Sequence, residues 1–201
     1  MEKEFDILEP NSQEEFDLLN PFPGLRPFTF EESHLFFGRE GQSDDVLLNL
    51  AKHRFTAVIG ASGSGKSSLM YCGLIPILYG GFMTEAGSDW TVLVTRPGIS
   101  PMENLAESIL SNDGNYASSS EMEKTIERRM TSTILRSSSM GLVDALKQVS
   151  TSSTKNVFLL IDQFEELFRF LKYDKDADAI NEATAYVNLL IKSISQTEVP
   201  I

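Results

Sequence analysis

Short apolar runs alternate along this chain with segments whose apolar residues recur every three or four positions. Residues 55–59 (FTAVI), 91–95 (TVLVT) and 157–161 (VFLLI) have strand length and are bounded by turn-forming residues. The last of these is apolar at every position, the pattern of a strand covered on both faces in a parallel sheet. Helical spacing appears at 40–52, where Val46, Leu47 and Leu50 share one face. It recurs after Ser120 with Met122, Ile126, Met130 and Ile134, then with Leu142, Val143, Leu146 and Val149, and again over about 176–195. Ser100-Pro101-Met102-Glu103 reads as a capping box with proline at the first helical position, opening a helix to about Leu110. A further helix opens at Ser67, and Pro76 with Gly80-Gly81 is expected to end that region. Residues 111–120 are rich in Ser, Asn and Gly and read as a mobile loop. Strand-length and helical segments alternating in this way predict an α/β fold, a mostly parallel sheet flanked by helices with right-handed crossovers.

Composition narrows the class of protein. The 201 residues suffice for one domain with a core, or for part of a larger one. No apolar run approaches the roughly 20 residues that span a bilayer. The start of the chain lacks a basic stretch followed by an apolar one, so no secretory leader is expected. Cys72 is the single cysteine, which excludes an internal disulfide and fits a cytoplasmic, reducing location. The net charge of −12 repels phosphate backbones, so direct nucleic-acid binding is not expected. Arg128 and Arg129 are adjacent and read as a solvated helix face. Residues 1–20 carry seven acidic residues against one basic one and read as an acidic N-terminal arm. The punctuated stretch Asn20-Pro21, Pro23-Gly24 and Pro27 marks the boundary of the folded domain, 21–201.

The strongest chemical signal lies between the first apolar run and the helix after it. Gly60-Ala61-Ser62-Gly63-Ser64-Gly65-Lys66-Ser67 matches G-x-x-x-x-G-K-[ST], the P-loop. Small residues there let backbone N–H groups curl around phosphate oxygens, and the helix that follows aims its dipole at the anion. Lys66 brings a point charge to the β- and γ-phosphates, and the Ser67 hydroxyl is the expected magnesium ligand. These residues, with Ser68, form the candidate nucleotide-binding set. Downstream, VFLLI ends in Asp162, a carboxylate suited to hold Mg2+ through water. Glu165 and Glu166 follow as candidates to polarise an attacking water, or as an acidic first helical turn. They are adjacent, so only one can face a γ-phosphate, and the sequence leaves both open. Lys66, Glu165 and Glu166 are the candidate catalytic residues.

Asn20-Pro-Phe-Pro-Gly-Leu-Arg-Pro-Phe28, Phe36-Phe-Gly-Arg-Glu40, the P-loop, Val94-Thr-Arg-Pro-Gly98 and LLIDQFEELF together resemble one family, the novel STAND NTPase 1 type among STAND and NACHT signalling ATPases. The resemblance covers about residues 20–201. It implies a P-loop NTPase fold that uses ATP or ADP with Mg2+. It implies that Phe37, Gly38 and Arg39 lie near adenine and ribose, and that Asp162 is the magnesium aspartate. The D-x-x-E-E spacing resembles the NACHT pattern and keeps both Glu165 and Glu166 in play, whereas Gln163 stands where many STAND proteins carry an acidic residue. Family members continue into a further strand with a sensor arginine, a helical lid, a winged-helix region and a C-terminal sensor. The expectation is therefore an incomplete domain, with Val199-Pro200-Ile201 beginning the next strand. The resemblance implies a switch in which ATP binding and hydrolysis control homo-oligomerisation and an effector, in programmed cell death or anti-phage defence. Alternative readings are a nucleotide-binding scaffold with little hydrolysis and a P-loop small-molecule kinase, though no Arg-rich lid is visible. A GTPase is disfavoured by the absence of N-K-x-D, and an ABC-type transporter ATPase by the absence of its Gly-rich signature.

Outside these motifs, Cys72 among Leu69, Leu74 and Ile75 reads as a buried structural thiol. His34 and His53 are isolated and form no metal-ligand set. Arg96 ends a strand near the edge where open α/β sheets bind ligands, and reads as a packing residue or as a contact to phosphate or a neighbouring subunit. Trp90 is expected to anchor the start of its strand.

Overall fold

The computed structural model describes residues 22–24, 26–81, 89–149, 156–168 and 177–195. The acidic arm 1–20 and the expected strand start at 199–201 lie outside them. The fold is mixed and helix-rich, built on a small parallel sheet. After a 3-10 helix, Phe30–Leu35, come α1 (Glu40–His53) and α2, a continuous run over 66–79. Strand β1 (Trp90–Thr95) is followed by α3 (Pro101–Leu110), α4 (Gly114–Ser118), α5 (Glu121–Ser137) and α6 (Gly141–Val149). Strand β2 (Asn156–Ile161) and α7 (Ala177–Ser195) complete the described elements.

β1 and β2 pair in parallel, in register from Trp90 opposite Asn156 to Thr95 opposite Ile161. Alternation along β2 explains its unbroken apolar run. Phe158 and Leu160 turn to one face, where Leu69, Met70, Leu74, Ile75 and Leu78 of α2 cover them with help from α1. Val157, Leu159 and Ile161 turn to the other face, into a larger core with α3, α5, α6 and α7. The result is a helix layer on each side of the sheet. Leu78, Leu105 and Tyr186 are 0% exposed. Each such aliphatic side chain contributes about 1.5–3 kcal/mol by leaving water.

Several expectations change. Residues 55–59 are not a buried strand. They have no ladder partner among the described residues, Phe55 is 59% exposed and Ile59 92%, and only Val58 reaches the α2-side core. An apolar run without a neighbour to accept its hydrogen bonds does not become a strand. Pro76 does not end its helix either. Residues Leu69–Leu74 are π-helical, and the Ile75 N–H reaches back to Met70 O, five residues earlier. That wider turn accommodates a ring that would clash in a regular α-helix, and the run continues through Ile75–Tyr79. The segment 111–120 holds the short helix α4, capped by Asp113 and pinned by the buried Tyr116, whose hydroxyl donates to Glu107 Oε2 at 2.6 Å. Burial and that bond to a carboxylate push the Tyr116 hydroxyl up to about 12.

The two Ser-x-x-Glu helix starts, at Ser100 and at Ser120, behave differently. Ser120, at ψ 157°, completes its box with Glu123. Ser100, at ψ 72°, makes no side-chain cap bond, although Pro101 starts α3 as expected. On α5 the exposed residues include Met122, Ile126 and Met130, while Thr131, Ser132 and Leu135 are buried. Gly141 marks a close approach between α5 and α6. A Cβ there would run into the Ile134 carbonyl and lie 2.6 Å from Leu135 O. Gly141→Ala is expected to cost about 1–3 kcal/mol and to lower the melting temperature by roughly 5 °C. A thermal melt unchanged from the parent would contradict that packing.

Candidate functional site

The P-loop runs from the end of the 55–59 segment into the start of α2. Gly63 and Gly65 adopt φ of +74° and +81°, a region that side-chain-bearing residues rarely enter. Gly60 faces the loop's own far side, since a Cβ there would meet Ser64 Oγ at 3.0 Å. Lys66 curls back over the loop, and its Nζ donates to Gly60 O at 2.9 Å and Ala61 O at 3.0 Å. The ammonium is thus held by two carbonyls at the mouth of the loop.

The segment before α1 is stapled to α2. Phe28 N donates to Ser68 Oγ at 3.1 Å, and the Cys72 thiol donates to Thr29 O at 3.0 Å. The Ser68 hydroxyl therefore faces this segment, and Cys72 is a buried structural thiol. Burial raises its pKa to about 11. Arg26 grips Glu32 through two bonds of 2.6 and 2.7 Å, and together with the Thr29 amide it holds that carboxyl at about 2. This docking brings 36–40 beside the P-loop. The Arg39 guanidinium passes within 3.8 Å of where a Cβ on Gly65 would sit. Gly38, at φ +84°, donates its N–H to Glu40 Oε1, and Phe37 presents a ring that is 77% exposed.

Asp162 stands at the carboxyl end of β2. Ser67 Oγ donates to its Oδ1 at 2.9 Å, closing a separation of 95 residues. Gln163 N donates to the same oxygen at 3.1 Å. Arg96, from the exit of β1, donates to Oδ2 through Nε at 3.1 Å and Nη2 at 2.8 Å. That pairing raises the already high pKa of Arg96. Tyr71 lies one turn beyond Ser67 on α2 and interacts with the same guanidinium; burial first, then the Asp162 charge, push its hydroxyl up. The β1 exit is itself held. Asn104 Nδ2 donates to Arg96 O at 3.1 Å and Pro97 O at 3.0 Å, and Gly98 N donates to Glu166 Oε2 at 3.1 Å. Glu166 is half-buried in this role, whereas Glu165 is exposed.

The structure thus brings Lys66, Ser67 and Asp162 to one place and sets Arg39 against the loop. The D-x-x-E-E pattern gave no sign that Glu166 holds the Gly98 amide. Nor did the sequence show that Tyr71 and Asn104 belong to the site, although the four-residue step from Ser67 to Tyr71 on one helix carried the signal. Arg96 engages the site through Asp162. Among the described residues no three His, Cys, Asp or Glu side chains cluster as metal ligands. No helix among them is long and apolar enough to cross a membrane.

Comparison with known proteins adds a family. The model of Novel STAND NTPase 1 matches residues 21–201. The chain belongs to this family. Novel STAND NTPase 1 is a STAND-type nucleotide-binding domain, in keeping with the loop geometry. Local similarity reaches the phosphate import ATP-binding protein PstB 1 of Yersinia pestis and of Yersinia pseudotuberculosis, 36% identical over 66 residues. That match covers 33% of this chain and 24% of the relatives, so the chain spans about a quarter of their length. No solved structure matches.

Proposed function

We propose that this chain is the ATP-binding part of a STAND-class signalling switch with a P-loop NTPase fold. The observation that carries the reading is the P-loop with Lys66 Nζ folded onto Gly60 O and Ala61 O, next to Ser67 bonded to a strand-end carboxylate. Phosphate oxygens replace those two carbonyls as partners of Lys66, and the loop N–H groups and the start of α2 add to their hold. The residues fit Mg2+. It is a hard cation bound through one or two protein oxygens, several waters and substrate phosphate, and a hydroxyl with a carboxylate 2.9 Å apart supplies such a pair. Ser67 and Asp162 would hold it. When bound it neutralises charge on the β- and γ-phosphates. Phe37, Gly38 and Arg39 flank the nucleotide on the purine and ribose side, supported by the approach of Arg39 to Gly65.

Between the two glutamates, Glu165 is assigned the role of orienting the attacking water. Glu166 spends a carboxylate oxygen on the Gly98 amide, and Glu165 is exposed beside Asp162. ATP binding then favours a homo-oligomer that engages an effector, and hydrolysis resets it, in the manner of switch segments ordered by a γ-phosphate. Defence against phage or programmed cell death is the setting the family suggests, in the cytoplasm. A scaffold with little hydrolysis is the second reading, supported by an Asp162 carboxylate already filled by Ser67 and Arg96.

A ligand that binds only the folded chain stabilises it by about 2.7 kcal/mol at a hundred times its dissociation constant. ATP with Mg2+ is expected to raise the melting temperature by roughly 5–10 °C, ADP by a similar amount, and GTP by less. Equal shifts with ATP and GTP would remove the adenine preference, and no shift with any nucleotide would contradict the reading.

A further inference from the structure

Asp162 is fully occupied by this chain's own donors. Ser67 Oγ and Gln163 N fill Oδ1, and the Nε and Nη2 of one guanidinium fill Oδ2. Two cations therefore compete for one carboxylate charge: Arg96, held on Oδ2, and the magnesium that the proposed function places at Ser67 Oγ and Oδ1. The carboxylate is only 12% exposed, so solvent screens the repulsion between those two cations weakly. The Arg96 side chain is 49% exposed and so has solvent to move into. Its main chain is fixed by Asn104 and by the Gly98–Glu166 bond, so the side chain can swing while the backbone stays.

We propose that Arg96 is a latch on the magnesium site: in the nucleotide-free protein it holds Asp162 as an internal counter-ion, and magnesium-nucleotide must displace it. This rests on the proposed nucleotide reading and adds a regulatory role for a residue outside the P-loop. The latch sets a threshold. Nucleotide without metal enters the P-loop freely, whereas tight binding requires magnesium enough to expel the guanidinium. Release of Arg96 also frees Tyr71, which its guanidinium touches when latched.

The test is a magnesium titration of ATP affinity by calorimetry on the parent chain and on Arg96→Gln, with circular dichroism to verify folding. The latch predicts that the free-magnesium midpoint falls about tenfold in the variant, while ADP affinity in chelator stays within about twofold of the parent, because one carboxylate competitor has been removed. It also predicts that the variant melts lower without ligand and equally at saturating magnesium-ATP. Arg96→Lys lacks the two-pronged hold on Oδ2 and lowers the midpoint as well. A midpoint that is unchanged or raised overturns the latch, as does an equal loss of ATP affinity with and without magnesium, which makes Arg96 a phosphate ligand instead. Failure of the parent chain to bind any nucleotide overturns the nucleotide reading, and the latch with it.

Discussion

Glu165→Gln is expected to lower the rate of ATP hydrolysis about 10²-fold or more while leaving nucleotide affinity unchanged, the loss that follows removal of a positioned general base. The two adjacent glutamates differ in what each already does. Glu166 accepts the Gly98 amide at 3.1 Å and ties the β1 exit to the turn after β2. Gly98 has φ +52°, and Asn104 carries the two carbonyls before it. Glu166→Ala is therefore expected to loosen that turn, lowering thermal stability along with turnover. Glu165 is exposed, so its amide variant is expected to fold as the parent does. Single-turnover and multiple-turnover assays on a preparation that hydrolyses ATP distinguish the two. Full turnover by Glu165→Gln would transfer the role to Glu166 or leave the scaffold reading in its place.

Lys66→Ala carries the largest expected effect on binding. The ammonium rests on two P-loop carbonyls, at 2.9 and 3.0 Å, and both bonds are exposed to solvent. Little stability is therefore lost with it, and the variant remains folded. What is expected to disappear is the proposed charge-assisted contact to phosphate, worth about 3 kcal/mol, or roughly 100-fold in the dissociation constant. Ser67 and Asp162 stay in place, so magnesium alone does not rescue the affinity.

Much of this was legible in the sequence where one local rule decided the outcome. VFLLI is apolar throughout because Phe158 and Leu160 meet α2 while Val157, Leu159 and Ile161 meet the opposite helices. The glycines at 63 and 65 announce positive φ, and the motif spacing brings Lys66 and Ser67 to the loop. The sequence misled where partners decide. FTAVI looks like VFLLI, but it has no ladder partner among the described residues, and Ile59 stays 92% exposed. Pro76 reads as a stop, yet a π-turn from Leu69 to Leu74 absorbs it, and no short pattern encodes that shift. Ser100 and Ser120 head the same capping pattern, and the backbone angle at each decides which hydroxyl reaches an amide. The Arg96–Asp162 pair spans 66 residues and depends on the register of β1 with β2, which alternation alone does not supply.

Whether this chain binds magnesium-nucleotide on residues 60–67 is decided by calorimetry of ATP and ADP with the parent and with Lys66→Ala. Saturable, magnesium-dependent binding by the parent and a loss of roughly 100-fold in the variant are expected, both proteins being folded. Binding of equal strength in the two proteins would contradict that site, because the nucleotide would then sit somewhere other than the P-loop.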